Sequence, residues 1–241
     1  FLFMCIGIWK IATRLQKREK YEAVERQKEC TKKCSSLEKE FQSGRYIETI
    51  RKLQNLTQEY PDHYLPYLLL GKCYYQLDRR KDAKVAFAKA EKLAPENPQV
   101  LYENAKFHRA EGEYNIALSF ISKYITKRKE APKGYRCRAK ILRALKKMNL
   151  ARKDIEIANK IEQEKIEKNL CEIVSASNSK EKFRREEAFQ RLGHLLKEYP
   201  EVNNPSPKRR GLLAGLRRMT AKAIIRLLRS RNSLPHLEVR L

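Results

Sequence analysis

The residues best able to do chemistry are few, and their spacing argues against most reactions. The four histidines, His63, His108, His194 and His236, are scattered along the chain. None belongs to an H-E-x-x-H pair, and no G-x-S-x-G elbow, P-loop or G-x-G-x-x-G turn occurs. Cys5, Cys30, Cys34, Cys73, Cys137 and Cys171 contain no C-x-x-C. Cys30 and Cys34 fall one helical turn apart with no histidine nearby, a poor donor set for tetrahedral zinc. Acidic pairs such as Glu186 and Glu187 stand beside Arg184 and Arg185, as solvated helix surface does. Neither a metal, nor another cofactor, nor an enzyme is expected.

A second set of residues is periodic. Lys72, Lys106 and Lys140 recur 34 residues apart. Three residues after them come Tyr75, Arg109 and Arg143; four before come Leu68, Tyr102 and Arg136, with Lys133 close by. On a helix, spacings of three and four bring side chains to one face. Two readings stay open. In a chain with 54 Lys and Arg the face is solvated surface that recurs by chance. Alternatively it is a basic ladder with aromatic entries at Tyr75 and Tyr102. Such a ladder would engage an acidic protein or peptide segment through charge-assisted hydrogen bonds. Nucleic acid is the other candidate, since lysines, arginines and tyrosines contact phosphates and stack bases, although no RNP1 or GXXG fingerprint accompanies them.

The elements that would carry this face follow the same period. Tyr67, Leu70, Gly71, Tyr74, Ala83, Phe87, Ala90 and Pro95 mark one unit. A period later the corresponding places hold Leu101, Asn104, Ala105, His108, Ala117, Ile121 and Tyr124, and then Tyr135, Arg138, Ala139, Leu142, Ala151, Ile155 and Ala158. Upstream stand Thr49, Leu53, Leu56 and Pro61; a weaker copy downstream keeps Ala188, Leu192, Leu195 and Pro200. The pattern predicts two amphipathic helices per unit, joined near Leu77–Arg80, Gly112–Tyr114 and Lys147–Asn149. Small residues let the two helices approach, large ones fill the space between units, and Pro61 and Pro95 end the second helix. A single unit cannot bury its own apolar face, so neighbours must stack.

These landmarks resemble the tetratricopeptide repeat family, whose period is 34 residues. The 64–97 unit matches nearly every place, with Tyr67 where tryptophan is usual; Ala105 and Ala139 replace the glycine in the next two. The resemblance implies a right-handed helical solenoid of about four to five units, with a groove lined by the first helix of each. Partner contacts are then implied for Leu68, Lys72, Tyr75, Tyr102, Lys106, Arg109, Lys133, Arg136, Lys140 and Arg143. Members that clamp chaperone tails by their carboxylates need asparagine where Lys72 or Lys106 stands here. A large packing residue is usual at the place of His108, so a half-buried structural histidine is expected there.

Composition agrees with an all-α chain. It is 41% hydrophobic and 34% charged, with only 8 Gly and 9 Pro, and helix formers dominate. The charge balance of +25 predicts attraction to something anionic: nucleic acid, an acidic protein segment or a lipid surface. Cys73 and Cys137 read as small buried hydrophobes in a reducing, cytoplasmic setting.

The expected layout is an N-terminal apolar and basic helix at 1–29, repeats at 30–63, 64–97, 98–131, 132–165 and 169–200, and a basic linker with an amphipathic helix at 201–241. Residues 1–9 are almost wholly apolar but too few to span a bilayer, which needs about 20. The chain opens on Phe1 rather than Met, as a trimmed chain would. Residues 1–9 are then either the remnant of an N-terminal membrane anchor or the start of a helix that packs on the repeats. The 211–229 stretch is cationic, with Leu212, Leu216, Ala223 and Leu227 in one stripe. It would cap the last repeat, lie on an anionic membrane or a calmodulin-like partner, or act as a basic arm on nucleic acid.

Overall fold

The computed structural model describes residues 2–177 and 182–198. The described residues are helical and contain no strand. In chain order the helices are α1 (Leu2–Gln42), α2 (Tyr46–Glu59), α3 (Tyr64–Gln76), α4 (Arg80–Leu93), α5 (Pro98–Ala110), α6 (Tyr114–Lys127), α7 (Pro132–Ala144), α8 (Met148–Ser177) and α9 (Lys182–Glu198). The expected basic linker and C-terminal helix at 201–241 lie outside the described residues, as do Pro200 and His236.

The turn within each unit has one backbone design. Gly44, Asp78, Gly112 and Lys146 all have positive φ, at 82°, 56°, 78° and 59°. They stand at successive intervals of 34 residues. At each, the left-handed residue donates to a carbonyl three residues back, and the next donates five residues back. The second bond is Arg45 N to Glu40 O at 3.3 Å, Arg79 N to Tyr74 O at 2.9 Å, Glu113 N to His108 O at 2.9 Å and Lys147 N to Leu142 O at 2.8 Å. This pairing satisfies carbonyls that the end of the first helix leaves open, and a left-handed residue is what permits it. Glycine suits the place because it has no Cβ; Asp78 and Lys146 adopt it at a steric cost.

Between units the chain is stopped and restarted by side-chain chemistry. Pro61 and Pro95 follow directly on the C-caps Tyr60 and Ala94. Asn97 then accepts a hydrogen bond from Gln99 N at 2.9 Å and Pro98 opens α5, the favoured N-cap and first-turn residues. His63 plays the same part for α3, its Nδ1 accepting from Leu65 N at 3.2 Å. Burial holds the His63 imidazole below its ordinary pKa, which keeps the acceptor nitrogen unprotonated.

The chain divides into two compact units, one of residues 1–129 and 136–151, the other of 130–135 and 152–241. The core of the first includes Leu53, Leu68, Leu69, Cys73, Ala83, Phe87, Ala90 and Val100. The small places are as tight as their type predicts: Ala83, Ala90, Ala105 and Ala117 have no exposure. Gly71 is the closest approach. A Cβ there would meet Cδ1 and Cε1 of the Phe87 ring at 2.8 Å. One period on, where alanine stands at 105, the opposite place holds the smaller Ile121, and both are fully buried. In the second unit Ile166, Leu170 and Ile173 of α8 and Ala188, Leu192 and Leu195 of α9 are buried, and Arg191 pairs with Glu172 at 2.8 Å.

Two helices are longer than the repeat boundaries imply. α1 runs for 41 residues without a break at 29, and its last part, with Cys30, Cys34 and Leu37 buried, joins the core. α8 runs for 30 residues through the join expected between the last two units. Neither helix contains a proline, and good helix formers run through both expected joins. Residues 2–9 are the first part of α1. Among the described residues no helix is long and apolar enough to cross a membrane.

Candidate functional site

The first helices of three successive units line a cleft of about 320 Å³ in the first compact unit. α1 supplies Phe41; α3 supplies Lys72, Tyr75 and Gln76; α5 supplies Glu103, Lys106, Phe107 and Arg109. Of the residues expected to contact a partner, Lys72, Tyr75, Lys106 and Arg109 are thereby brought together. Their 34-residue spacing is what aligns them, because the turn geometry repeats with the same period.

The floor is aromatic. Tyr75 meets Phe107 edge-on with ring centroids 6.0 Å apart, and Phe107 packs against Phe87 at 5.0 Å. The Arg80 guanidinium lies over Tyr75 at 5.4 Å. The Tyr75 ring is thus held between a cation and another ring, in a fixed orientation.

The cationic rim differs from residue to residue. Lys72 is mostly buried, its Nζ 2.7 Å from Glu38 Oε1 and 4.8 Å above the Phe41 ring. Glu38 and Phe41 occupy in the preceding unit the places that Lys72 and Tyr75 occupy in theirs. The ladder therefore begins with a carboxylate. Lys106 is exposed, paired with Glu103 at 2.8 Å, and lies over the Tyr102 ring at 5.7 Å. Arg109 is half-buried, makes no ion pair among the described residues, and its Nε is buried with no hydrogen-bond acceptor. An unpaired buried donor costs about 1–3 kcal/mol, and most buried polar groups avoid it.

The remaining expected residues lie elsewhere. Leu68 has no exposure and belongs to the core. It cannot touch a partner, because α3 packs against other helices on nearly every side; this corrects the expectation for that residue. Tyr102 is half-buried against Tyr124 at 5.2 Å, and burial first, then the nearby Cys137 and Glu103, pushes its phenol up to about 12. Lys133, Arg136, Lys140 and Arg143 sit on α7; Arg136 is half-buried and the other three are exposed. Burial raises the Cys137 thiol, against the pull of Arg109, Lys140 and Lys106. Three cations of the periodic set therefore act on one buried sulfur.

Glu38, Phe41, Gln76, Glu103 and Phe107 were not anticipated at the site. Glu38 and Phe41 were legible, one period before Lys72 and Tyr75, had the first helix of the 30–63 unit been aligned as well as its second.

The residues first weighed for chemistry have structural places. His108 stacks on Phe120 with centroids 5.4 Å apart, its Nδ1 meets Glu113, and it is half-buried, the structural role expected of it. Glu113 is held below the usual carboxylate range by His108 first and then Lys84. Cys30, Cys34, Cys73 and Cys137 are buried free thiols, and Cys171 is exposed. Burial pushes Cys73 up to about 11. Among the described residues, no group of three or more His, Cys, Asp or Glu is placed to hold a metal ion.

Helix pairs, a left-handed turn every 34 residues and a cleft between successive first helices together define an all-α helical-repeat protein. The tetratricopeptide repeat family model matches residues 40–90, from the end of α1 to α4. Among solved structures it is similar to residues 41 to the end of MamA from Desulfovibrio magneticus RS-1, at 14% identity and TM-score 0.51. That match covers 73% of this chain and 97% of the other. A further MamA crystal structure is similar at 16% identity and TM-score 0.50, covering 73% of this chain and 95% of the other. At such identities the likeness establishes the shared fold. No curated protein matches the chain in sequence.

Proposed function

We propose that this chain is a non-enzymatic scaffold or adaptor that binds protein partners on the first-helix face of its repeats. The cleft between α3 and α5 holds an acidic segment of the partner. One observation carries the reading: the cleft joins an aromatic floor to Lys106 and Arg109 on its rim. Aromatic and arginine side chains in a partly desolvated pocket are the usual anchors of a protein interface. The excess of 54 basic over 29 acidic residues favours encounter with an acidic partner.

The test is capture of partners from an extract by the full chain, read by mass spectrometry with and without nuclease. It is repeated with Lys106→Glu and Arg109→Glu together. The expected result is a set of nuclease-resistant protein partners that the charge reversal removes. A partner set indifferent to the reversal would remove the cleft from the function. Capture that nuclease abolishes would instead favour a basic, RNA- or ribosome-associated repeat protein.

A further inference from the structure

We infer that Arg109 reads one carboxylate side chain of the bound segment while the adjoining Tyr75–Phe107 floor takes one aromatic side chain. This rests on the scaffold reading above and names what the cleft selects. The charges on the rim lead to it. Lys72 is paired with Glu38 at 2.7 Å and Lys106 with Glu103 at 2.8 Å. A densely acidic tract would therefore face two resident carboxylates as well as their lysines. The cation left over is Arg109, with no ion pair among the described residues and an Nε lacking an acceptor. Charge complementarity thus calls for a single carboxylate.

The geometry of the group narrows the choice. A guanidinium is a planar fork that grips a carboxylate through two parallel N–H···O bonds. Nε belongs to one edge of that fork, and on Arg109 this is the edge without an acceptor. Arg109 is one of the residues that line the cleft. Beside it the floor presents the Tyr75 and Phe107 rings, already edge to face, and a third ring packs there in the same offset fashion. The cleft, about 320 Å³, is at the small end of ligand pockets, about 300–1,000 Å³. It has room for two side chains rather than a folded surface. In an extended segment, side chains two residues apart share one face. The sequence it fits is an aromatic residue and an Asp or Glu separated by one residue.

The probes are capped peptides with no terminal charge: Ac-Ser-Phe-Ser-Glu-Ser-NH2, the same peptide with Gln for Glu, the same with Ala for Phe, and an alternating Ser-Glu peptide without an aromatic. Each is titrated into the 15N-labelled full chain, and the arginine Nε–H region of the spectrum is followed. The Arg109 signal is assigned by its loss in Arg109→Lys, whose amide spectrum also shows that the fold is kept. The Phe/Glu peptide should shift the Arg109 signal and bind at least tenfold more tightly than the other three. Arg109→Lys should weaken it about tenfold, equivalent to about 1.4 kcal/mol. Equal binding of the Gln peptide, tightest binding of the alternating Ser-Glu peptide, or an unmoved Arg109 signal each overturns the inference. A U10 oligonucleotide that shifts Arg109 at lower concentration than the Phe/Glu peptide overturns it as well. If these peptides fail while charge reversal still removes captured proteins, the selectivity claimed here falls and the scaffold remains. If both fail, the scaffold reading falls too.

Discussion

Substituting Gly71→Ala sets two known effects against each other. Alanine in a helix interior is favoured over glycine by about 0.5–1 kcal/mol. Against this, the new methyl would lie 2.8 Å from two Phe87 ring atoms and 3.0 Å from a third. The ring has little room to retreat, being 3% exposed and packed on Phe107 at 5.0 Å. Overpacking of this kind costs about 1–3 kcal/mol, so the clash wins and the net loss is about 1–2 kcal/mol. The next unit suggests the remedy, since Ala105 there is matched by Ile121. Phe87→Ile alone should cost about 1–3 kcal/mol through lost ring contacts and a cavity. In that background, however, Gly71→Ala has space for its methyl and should stabilise by roughly 0.5–1 kcal/mol. The coupling between the two sites is then about 1.5–3 kcal/mol, read from urea midpoints followed by circular dichroism at 222 nm. If Gly71→Ala has the same sign and size in both backgrounds, ring contact is not what requires glycine at 71, and the reasoning is wrong.

Left-handed positions make a second test: Lys146→Gly should raise stability by about 1 kcal/mol and Gly112→Ala lower it by a similar amount, measured by the same unfolding curves. His63 caps α3 as a neutral acceptor, and its folded-state pKa lies below the ordinary value. Its contribution is present above about pH 6.5 and is lost as pH falls through the lowered folded value. His63→Asn should retain a cap and flatten thermal melts recorded across that window, and an unchanged pH profile would exclude His63 as the cause. At lower pH, Glu48, Glu59, Glu96 and Glu113, all held below the carboxylate range by lysine or histidine partners, should add a loss that begins below about pH 4.5; high salt should shrink it. Glu38→Gln should cost about 1 kcal/mol by leaving Lys72 without its carboxylate, and a Lys72→Met second change should recover most of that cost in a double-mutant cycle.

The repeat was legible because packing writes itself into residue size. Gly71, Ala83, Ala90, Ala105 and Ala117 are small where helices touch, and Pro61 and Pro95 mark ends that the backbone obeys. The lengths of α1 and α8 were not legible. Alignment by period cuts the chain at unit boundaries, whereas a helix ends only where a breaker or a cap ends it. Of the candidate site, Lys72 and Lys106 of the periodic set line the cleft, but pattern alone cannot tell an engaged cation from a free one. That distinction depends on Glu38 and Glu103, residues whose significance lies in what they touch. Leu68 failed for a related reason. Its spacing from Lys72 places it on the same stripe, yet α3 is surrounded on several sides, so the stripe is covered at that height. The aromatic floor escaped notice because Phe107 reads equally well as ordinary core.

Units of similar shape carry a hazard of their own: one can dock where another belongs. The pair Glu38–Lys72 joins equivalent places in consecutive units, with opposite signs. Were the chain to skip a unit and seat α5 against α1, Lys106 would take the lysine's place, but Glu103 already claims it. Were α3 duplicated onto itself between two molecules, lysine would oppose lysine. The ion pair thus gives consecutive hairpins unlike surfaces at equivalent places, Glu38 on one and Lys72 on the next.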